Sequence, residues 1–281
     1  MFKKILKYIL VFTFAFSLIG CSGSNSDDKQ YEEANKLVTE GKYKQAKKIY
    51  KEIKDYKDSK NRINDCDFLL AMEKSVVERM EEPNNTDYST LVDTELSYLE
   101  DFKDKDFGNT KVKSYYKDYL KGLNTQKDSL KEDVLYDSDY GWQEGTVQRF
   151  TVLDGLYNDF NFLKNNKKFI ANYIKDLDSE KELLKSYKAI FDDINTQWKD
   201  DDLPWQYNED SMQVTLKNNT KYTYDISFYV TFTDDNNTIL KKESYSETDI
   251  QQGMNYTVFV YAPDQDCNYS WEYQIDGVVI K

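Results

Sequence analysis

The 281-residue chain contains no histidine. That single absence removes Ser-His-Asp triads, Cys-His dyads, histidine general bases and His-ligated zinc from consideration. There are three prolines and ten glycines, and no P-loop, Gly-x-Ser-x-Gly or Cys-x-x-Cys motif. Long apolar runs are also missing. The longest uncharged stretch near the start, Tyr8 to Gly20, has 13 residues, against the roughly 20 needed to span a bilayer core. Basic charge is in deficit: 38 Lys and Arg stand against 51 Asp and Glu, a formal net charge of -13. A chain this acidic repels phosphate backbones and anionic headgroups, so no nucleic-acid partner is expected. The abundance of Lys, Asn, Asp and Tyr suggests an AT-rich genome, pointing to a low-GC Gram-positive bacterium.

What is present begins at the N-terminus. Lys3, Lys4 and Lys7 precede the short apolar stretch, which ends at Leu18-Ile19-Gly20-Cys21 and is followed by SGSNSDDKQ. A positive segment, a short apolar segment and small residues describe a secretory signal peptide. The last four residues resemble the bacterial lipobox. That resemblance covers the first 21 residues and implies cleavage between Gly20 and Cys21. It also implies lipid on the Cys21 thiol, leaving the mature chain tethered to the outer face of the cytoplasmic membrane by acyl chains such as palmitate. Residues 21–30 then read as a flexible polar tether. An ordinary signal peptide cut elsewhere is the alternative.

Cys66 and Cys267 remain. Cys66 falls in helical phase with Ile63 and Leu70, so two unpaired thiols are expected, with a disulfide the alternative in an exported protein.

From about residue 30 to 200 apolar residues recur every three to four positions, which predicts helices. Ala34, Leu37, Gly41, Tyr43, Ala46, Tyr50 and Ile53 resemble one tetratricopeptide unit. The resemblance implies a helical hairpin turning at Gly41, and no further unit follows to build that family's peptide groove. Residues 31–82 are read as this hairpin plus a third helix, and 83–201 as an antiparallel helical bundle. The bundle faces are Tyr88, Leu91, Val92, Leu96, Leu99 and Phe102, then Tyr115 to Leu123. A long helix follows from Val147 to Leu177, about 45 Å if unbroken, with a bend expected near Asn165-Asn166-Lys167-Lys168. Leu183, Tyr187, Ile190, Ile194 and Trp198 form the last face. YDSDYGWQEG is read as an irregular loop with Trp142 packed over the bundle.

At Pro204 the period changes to two. Tyr222, Tyr224, Ile226, Phe228, Val230 and Phe232 alternate with polar residues and predict a half-buried strand. TDDNNT predicts a hairpin turn, Met254 to Val260 and Tyr269 to Ile275 predict further strands, and Asp276-Gly277 a second tight turn. About six strands are expected in 210–281. This segment, with its KNNT turn and QQG before a strand, resembles the immunoglobulin-like FxLYD modules that end many bacterial lipoproteins. It departs from them in having Asp234-Asp235-Asn236-Asn237 and Gln252-Gly253 where they carry Asp-x-Gly and Pro-Gly. The resemblance implies a β-sandwich, and the family has no defined catalytic residues. The fold class expected is α+β, helices followed by an all-β sandwich.

Chemistry in other motifs is thin. Ser114 and Lys117 match Ser-x-x-Lys without its partner motifs. Asp137, Asp139 and Glu144 offer oxygens for calcium, but the glycine is out of place for an EF-hand. No pair of carboxylates stands out for glycoside chemistry. No metal, catalytic residue or cofactor is assigned. Most tyrosines lie on core-facing positions. Trp205, Tyr229 and Tyr261 are out of phase and are the candidate partner-binding residues. The reading is a lipid-anchored surface protein, not an enzyme, that binds or scaffolds an envelope protein. Glycan binding is the alternative, and an enzyme using carboxylates alone the third.

Overall fold

The structure is a computed structural model that describes residues 23–131, 138–198, 206–208, 211–263 and 269–281. Helices occupy the N-terminal two-thirds and antiparallel sheets the C-terminal third, an α+β arrangement. The lipobox residues Gly20 and Cys21, together with Trp205, Cys267 and Asp137, lie outside the described residues.

Helices α1 (Gly23–Thr39) and α2 (Tyr43–Glu52) form the expected hairpin, but α1 already includes residues 23–30, expected to be a flexible tether, with Asp28 accepting from Tyr56 and Lys57. Gly41 takes φ +76° at the turn, where its N–H reaches the Val38 carbonyl and the Lys42 N–H reaches that of Leu37. Only glycine adopts that conformation at no steric cost. Ala34 and Ala46 are fully buried between the two helices, with Tyr43 and Tyr50 beside them. Helix α3 (Ser59–Glu81) follows, and its Cys66 is a buried free thiol whose pKa burial pushes up to about 12. It fills space as a small apolar group.

Helix α4 (Tyr88–Leu99) is capped by Asp87, which accepts from the Thr90 N–H at 2.8 Å, and ends in a 3₁₀ turn (Glu100–Phe102). Helix α5 (Thr110–Asp128) packs antiparallel to α6 (Ser138–Phe160). Their backbones touch at a glycine pair. A Cβ on Gly145 would lie 2.6 Å from the Gly122 carbonyl oxygen and 2.5 Å from Gln126 Cγ.

The segment expected to be irregular around Trp142 is the first part of α6. Trp142 does pack as a lid, 4.5 Å from the Tyr88 ring and beneath the Arg79 guanidinium, and Glu144 stands on a helix instead of a loop. The single long helix is broken. It ends at Phe160 because Phe162 turns into the core and the backbone swings through left-handed Asn161 (φ 53°) and Leu163 (φ 47°). The chain resumes as a short turn, α7 (Lys167–Phe169), a π-turn (Ile170–Ile174) and then α8 (Leu177–Trp198).

Six described strands form two three-stranded antiparallel sheets: β1 (Gln206–Asn208), β2 (Ser211–Lys217) and β5 (Asn255–Tyr261) in the order β1-β2-β5, and β3 (Tyr224–Thr233), β4 (Ile239–Ile250) and β6 (Ser270–Ile280) in the order β4-β3-β6. The inward residues of β3, Tyr224 through Phe232, are those the alternation predicted. Asp234 makes the hairpin turn, its carboxylate accepting from the Asn236 and Thr238 amides, with Asn237 left-handed. Asp276-Gly277 is not a turn. Ser227 pairs with Gly277 and Phe228 with Ile275, so Asp276 is a bulge inside a continuous β6.

Helix α8 was expected to complete the helical bundle, and only its first half does so. Its second half buries Ile190, Phe191 and Ile194 in one core with Val214, Leu216, Tyr224, Phe228 and Val258 of the sheets. Each such side chain stabilises the contact by roughly 1.5–3 kcal/mol.

Candidate functional site

The two described candidate residues do not share a surface. Tyr229 stands on β3 among Ser244 and Gln274, on the outer face of the β4-β3-β6 sheet, with the Lys242 ammonium 4.0 Å from its ring centre. Its ring is half-buried and already engaged. Tyr261 stands on β5 in the other sheet and points away from the core, as do Phe259, Thr257 and Asn255. The two tyrosines therefore cannot contact one partner patch together.

The β5 face is the better candidate. Phe259 is 40% and Tyr261 55% exposed, and their rings meet edge-to-face at 5.1 Å. Their cross-strand neighbours on β2 are Gln213 and Ser211, short or polar residues that leave the rings proud of the sheet. Lys241 of β4 approaches Tyr261, its ammonium 5.8 Å from the ring. The same strand turns Lys241, Glu243, Tyr245 and Glu247 toward the sandwich interior side, opposite Phe232, Val230, Phe228 and Ile226. Charged side chains directed inward blunt β4 as an edge. Phe259 was not singled out from the sequence, although its phase with Tyr261, two residues apart in a strand, is the signal that identifies it.

Helix α8 is fastened to the sheets at the other end of β2 from the aromatic pair. The Gln197 side-chain amide donates to the Lys217 carbonyl at 2.6 Å and accepts from the Lys217 N–H at 2.8 Å. Asp193 accepts from the Asn219 N–H at 3.1 Å and its side-chain amide at 3.0 Å. Tyr273 donates to Asn195 at 2.6 Å and stacks on Trp198 at 3.8 Å between ring centres. At its other end α8 is bound to α6, where Gln143 donates to the carboxylate and the carbonyl of Glu180.

A second constellation, with no motif of its own in the sequence, surrounds the arginines. The chain has only three arginines, and each sits in a carboxylate pair with little solvent around it. Arg79 lies 2.7 Å from Glu95 Oε1, and Arg149 donates to the same oxygen. Tyr119 donates to the other carboxylate oxygen. Glu95 and Tyr119 are fully buried and Arg149 nearly so. Burial lowers the Arg79 pKa and Arg149 adds to the effect, while for Arg149 burial is outweighed by Glu95 and the tyrosines, so its pKa rises. Tyr119 is pushed well above the ordinary tyrosine range by burial. Arg62 pairs with Asp58 at 3.1 Å, and lies 3.7 Å from Asp65. Asp65 accepts from the Gly108 and Asn109 amides at the start of α5. Arg stays charged and forks across two acceptors, which suits it to such places. These contacts fasten α3, α4, α5 and α6 to one another.

Ser114 and Lys117 lie on the surface of α5, with the Ser114 hydroxyl donating to Asp118 at 3.0 Å. Among the described residues no three Cys, Asp or Glu side chains are placed to hold a metal ion, and no helix is long and apolar enough to cross a membrane. Comparison with protein-family models, curated proteins and solved structures finds no match.

Proposed function

We propose that this chain is a lipid-anchored surface protein that acts by binding: tethered through Cys21, it presents its C-terminal sandwich to another protein of the cell envelope. The observation that carries the reading is the Phe259–Tyr261 pair, two large aromatic rings exposed side by side on an otherwise polar sheet face. Aromatic side chains with a polar rim are the side chains that most often anchor protein interfaces. The helical hairpin at residues 31–82 and the sandwich at 210–281, with their resemblance to tetratricopeptide and FxLYD-type immunoglobulin-like modules, are non-catalytic units on this view.

The test is a photo-cross-linker placed at Gln213, beside Phe259, in the full-length chain on intact cells. A single envelope protein captured, lost in Phe259→Ala and in Cys21→Ala, is the expected result. Capture unaffected by Phe259→Ala would remove the aromatic pair from the interface. Retention of the chain by insoluble wall polysaccharide, with no protein adduct, would replace a protein partner with a glycan.

A further inference from the structure

Helix α1 starts at Gly23, two residues after Cys21, the residue read as the lipid carrier. Two residues reach at most about 7 Å. A flexible tether over residues 21–30 would reach about 16–19 Å and leave any face of the molecule free to turn toward a membrane. A helix that begins at Gly23 removes that freedom, provided its first turns are fixed to the body.

They are. Asp28 accepts from the Tyr56 hydroxyl at 2.6 Å and from the Lys57 ammonium at 2.7 Å. One turn further on, Tyr31 donates to Asp58, and its ring meets Tyr50 and Tyr56 edge-on with centres 5.9 and 6.0 Å apart. The start of α1 is thus fastened to the loop between α2 and α3. From Gly23 to Asp28 the helix rises about 8 Å. A lipid on Cys21 therefore lies within about 15 Å of the Asp28–Lys57 contact, and headgroups occupy roughly 5–8 Å of that distance. The α4–α5 loop flanks the same end. Gly108 packs against Asp58 and Arg62, and Asn64 donates to the Asp106 carbonyl at 2.8 Å.

The sandwich is at the other end. Helix α5 begins beside this loop and runs to the first half of α6, where Gln126 donates to Thr146 at 2.9 Å. There the Tyr140 ring meets Phe191 of the sheet core, with centres 5.6 Å apart. The 19 residues of α5, about 28 Å of helix, separate the two ends.

We propose that the α2–α3 loop, flanked by the α4–α5 loop, is a bilayer-contact surface: the lipid on Cys21 seats Lys54, Asp55 and Tyr56 against the headgroups and directs the sandwich away from the membrane. The inference rests on the anchor reading given above. Lys54 and Asp55 are exposed and Tyr56 is half-buried. Lysine and tyrosine are side chains that settle at headgroup depth. Lys54, Lys57 and Lys60 are balanced by Asp28, Asp55 and Asp58, so the surface does not select anionic over zwitterionic lipid. The acyl chains supply the affinity, and the short connection supplies the orientation.

The test places the photo-cross-linker p-benzoylphenylalanine at Lys54, at Asp104, or at Asn236 in the β3–β4 turn. The full-length chain, purified from membranes, is reconstituted into vesicles of phosphatidylcholine with or without phosphatidylglycerol. Lipid adducts read by mass spectrometry are expected at Lys54 and Asp104, equally in both vesicles, and absent at Asn236. A ten-residue Gly-Ser insertion between Ser22 and Gly23 keeps the lipid and the fold, and is expected to abolish most of the Lys54 adduct. Adducts at Asn236 equal to those at Lys54, none at Lys54, or a Lys54 adduct unchanged by the insertion would overturn the surface while leaving the anchor intact. A chain with no acyl mass on Cys21 would end the anchor reading and this inference with it.

Discussion

Arg79 and Arg149 converge on one oxygen of one carboxylate, Oε1 of Glu95, from two different helices. Two buried positive charges share a single negative one, and Tyr119 occupies the remaining oxygen. Removing the carboxylate leaves both guanidiniums uncompensated in the core. Glu95→Ala is therefore expected to cost about 3–5 kcal/mol. Arg149→Met keeps the volume, leaves Arg79 to pair with Glu95, and is expected to cost less. In urea unfolding the double variant should fall short of the sum of the singles by about 1–3 kcal/mol. Strict additivity would mean that the pair does not act as a unit.

The α5–α6 crossing sets two effects against each other. Gly145→Ala gains about 1 kcal/mol of helix propensity. It also drives a methyl group to 2.6 Å from a backbone oxygen that cannot rotate away. The steric effect is the larger, so net destabilisation of about 1–3 kcal/mol is expected. A rise in the thermal midpoint would show that the helices separate freely.

Asp65 gives the fold a pH dependence of defined sign. Burial raises its pKa from 3.8 to about 7, against the pull of Arg62 and of the Gly108 and Asn109 amides. The native state thus holds this proton more tightly than the unfolded chain does. Its contribution to stability is complete below about pH 4 and is lost as pH rises toward and through 7. Asp65→Asn should flatten that part of the stability profile, measured by urea unfolding at several pH values, at a cost of about 1 kcal/mol for one mismatched amide contact. A profile unchanged by the substitution would exclude Asp65 as its source.

The α8 joint predicts coupled unfolding. With Trp142 and Trp205 replaced by Phe, Trp198 and Trp271 report on the sheets and far-ultraviolet dichroism on the helices, and the two transitions should coincide. Replacing Asp193 and Gln197 together by Ala removes four hydrogen bonds to the Lys217–Asn219 segment. The expected loss is about 2–4 kcal/mol, with the two probes parting. Coincident curves in the variant would mean that Ile190, Phe191 and Ile194 suffice.

Much of the architecture was written in periodicity. The Ala34–Tyr50 hairpin, the Gly41 turn, the β3 face and the Asp234 turn follow from local rules that the tertiary structure does not override. The errors have distinct causes. Asp276-Gly277 has turn composition, but β3 pairs along both sides of it and absorbs the extra residue as a bulge. The chain near Trp142 looks irregular because its helix carries Gly141 and Gly145, the second demanded by contact with α5. Helix α8 has one apolar stripe, and nothing in the stripe says that its two halves face different neighbours. The ion cluster was partly legible: Glu95 lies between Val92 and Leu99 on the buried face of α4, and Arg149 precedes Leu153 by one turn on α6. A charged residue in apolar phase is a signal, and in a chain with three arginines it is a strong one. The left-handed turn at Leu163 was not legible, because a left-handed leucine has no sequence signature.

The joint at α8 also decides how force would travel. If a partner pulls on the sandwich while lipid holds the other end, tension enters at β2 and leaves along α8 into α6. The Gln197 and Asp193 clamps then lie across the line of pull and are strained together, in shear, so that none opens ahead of the rest. Between α6 and α8 the chain itself runs through short turns instead of continuous helix, so there the load is carried by the Gln143–Glu180 contact that bridges the two helices.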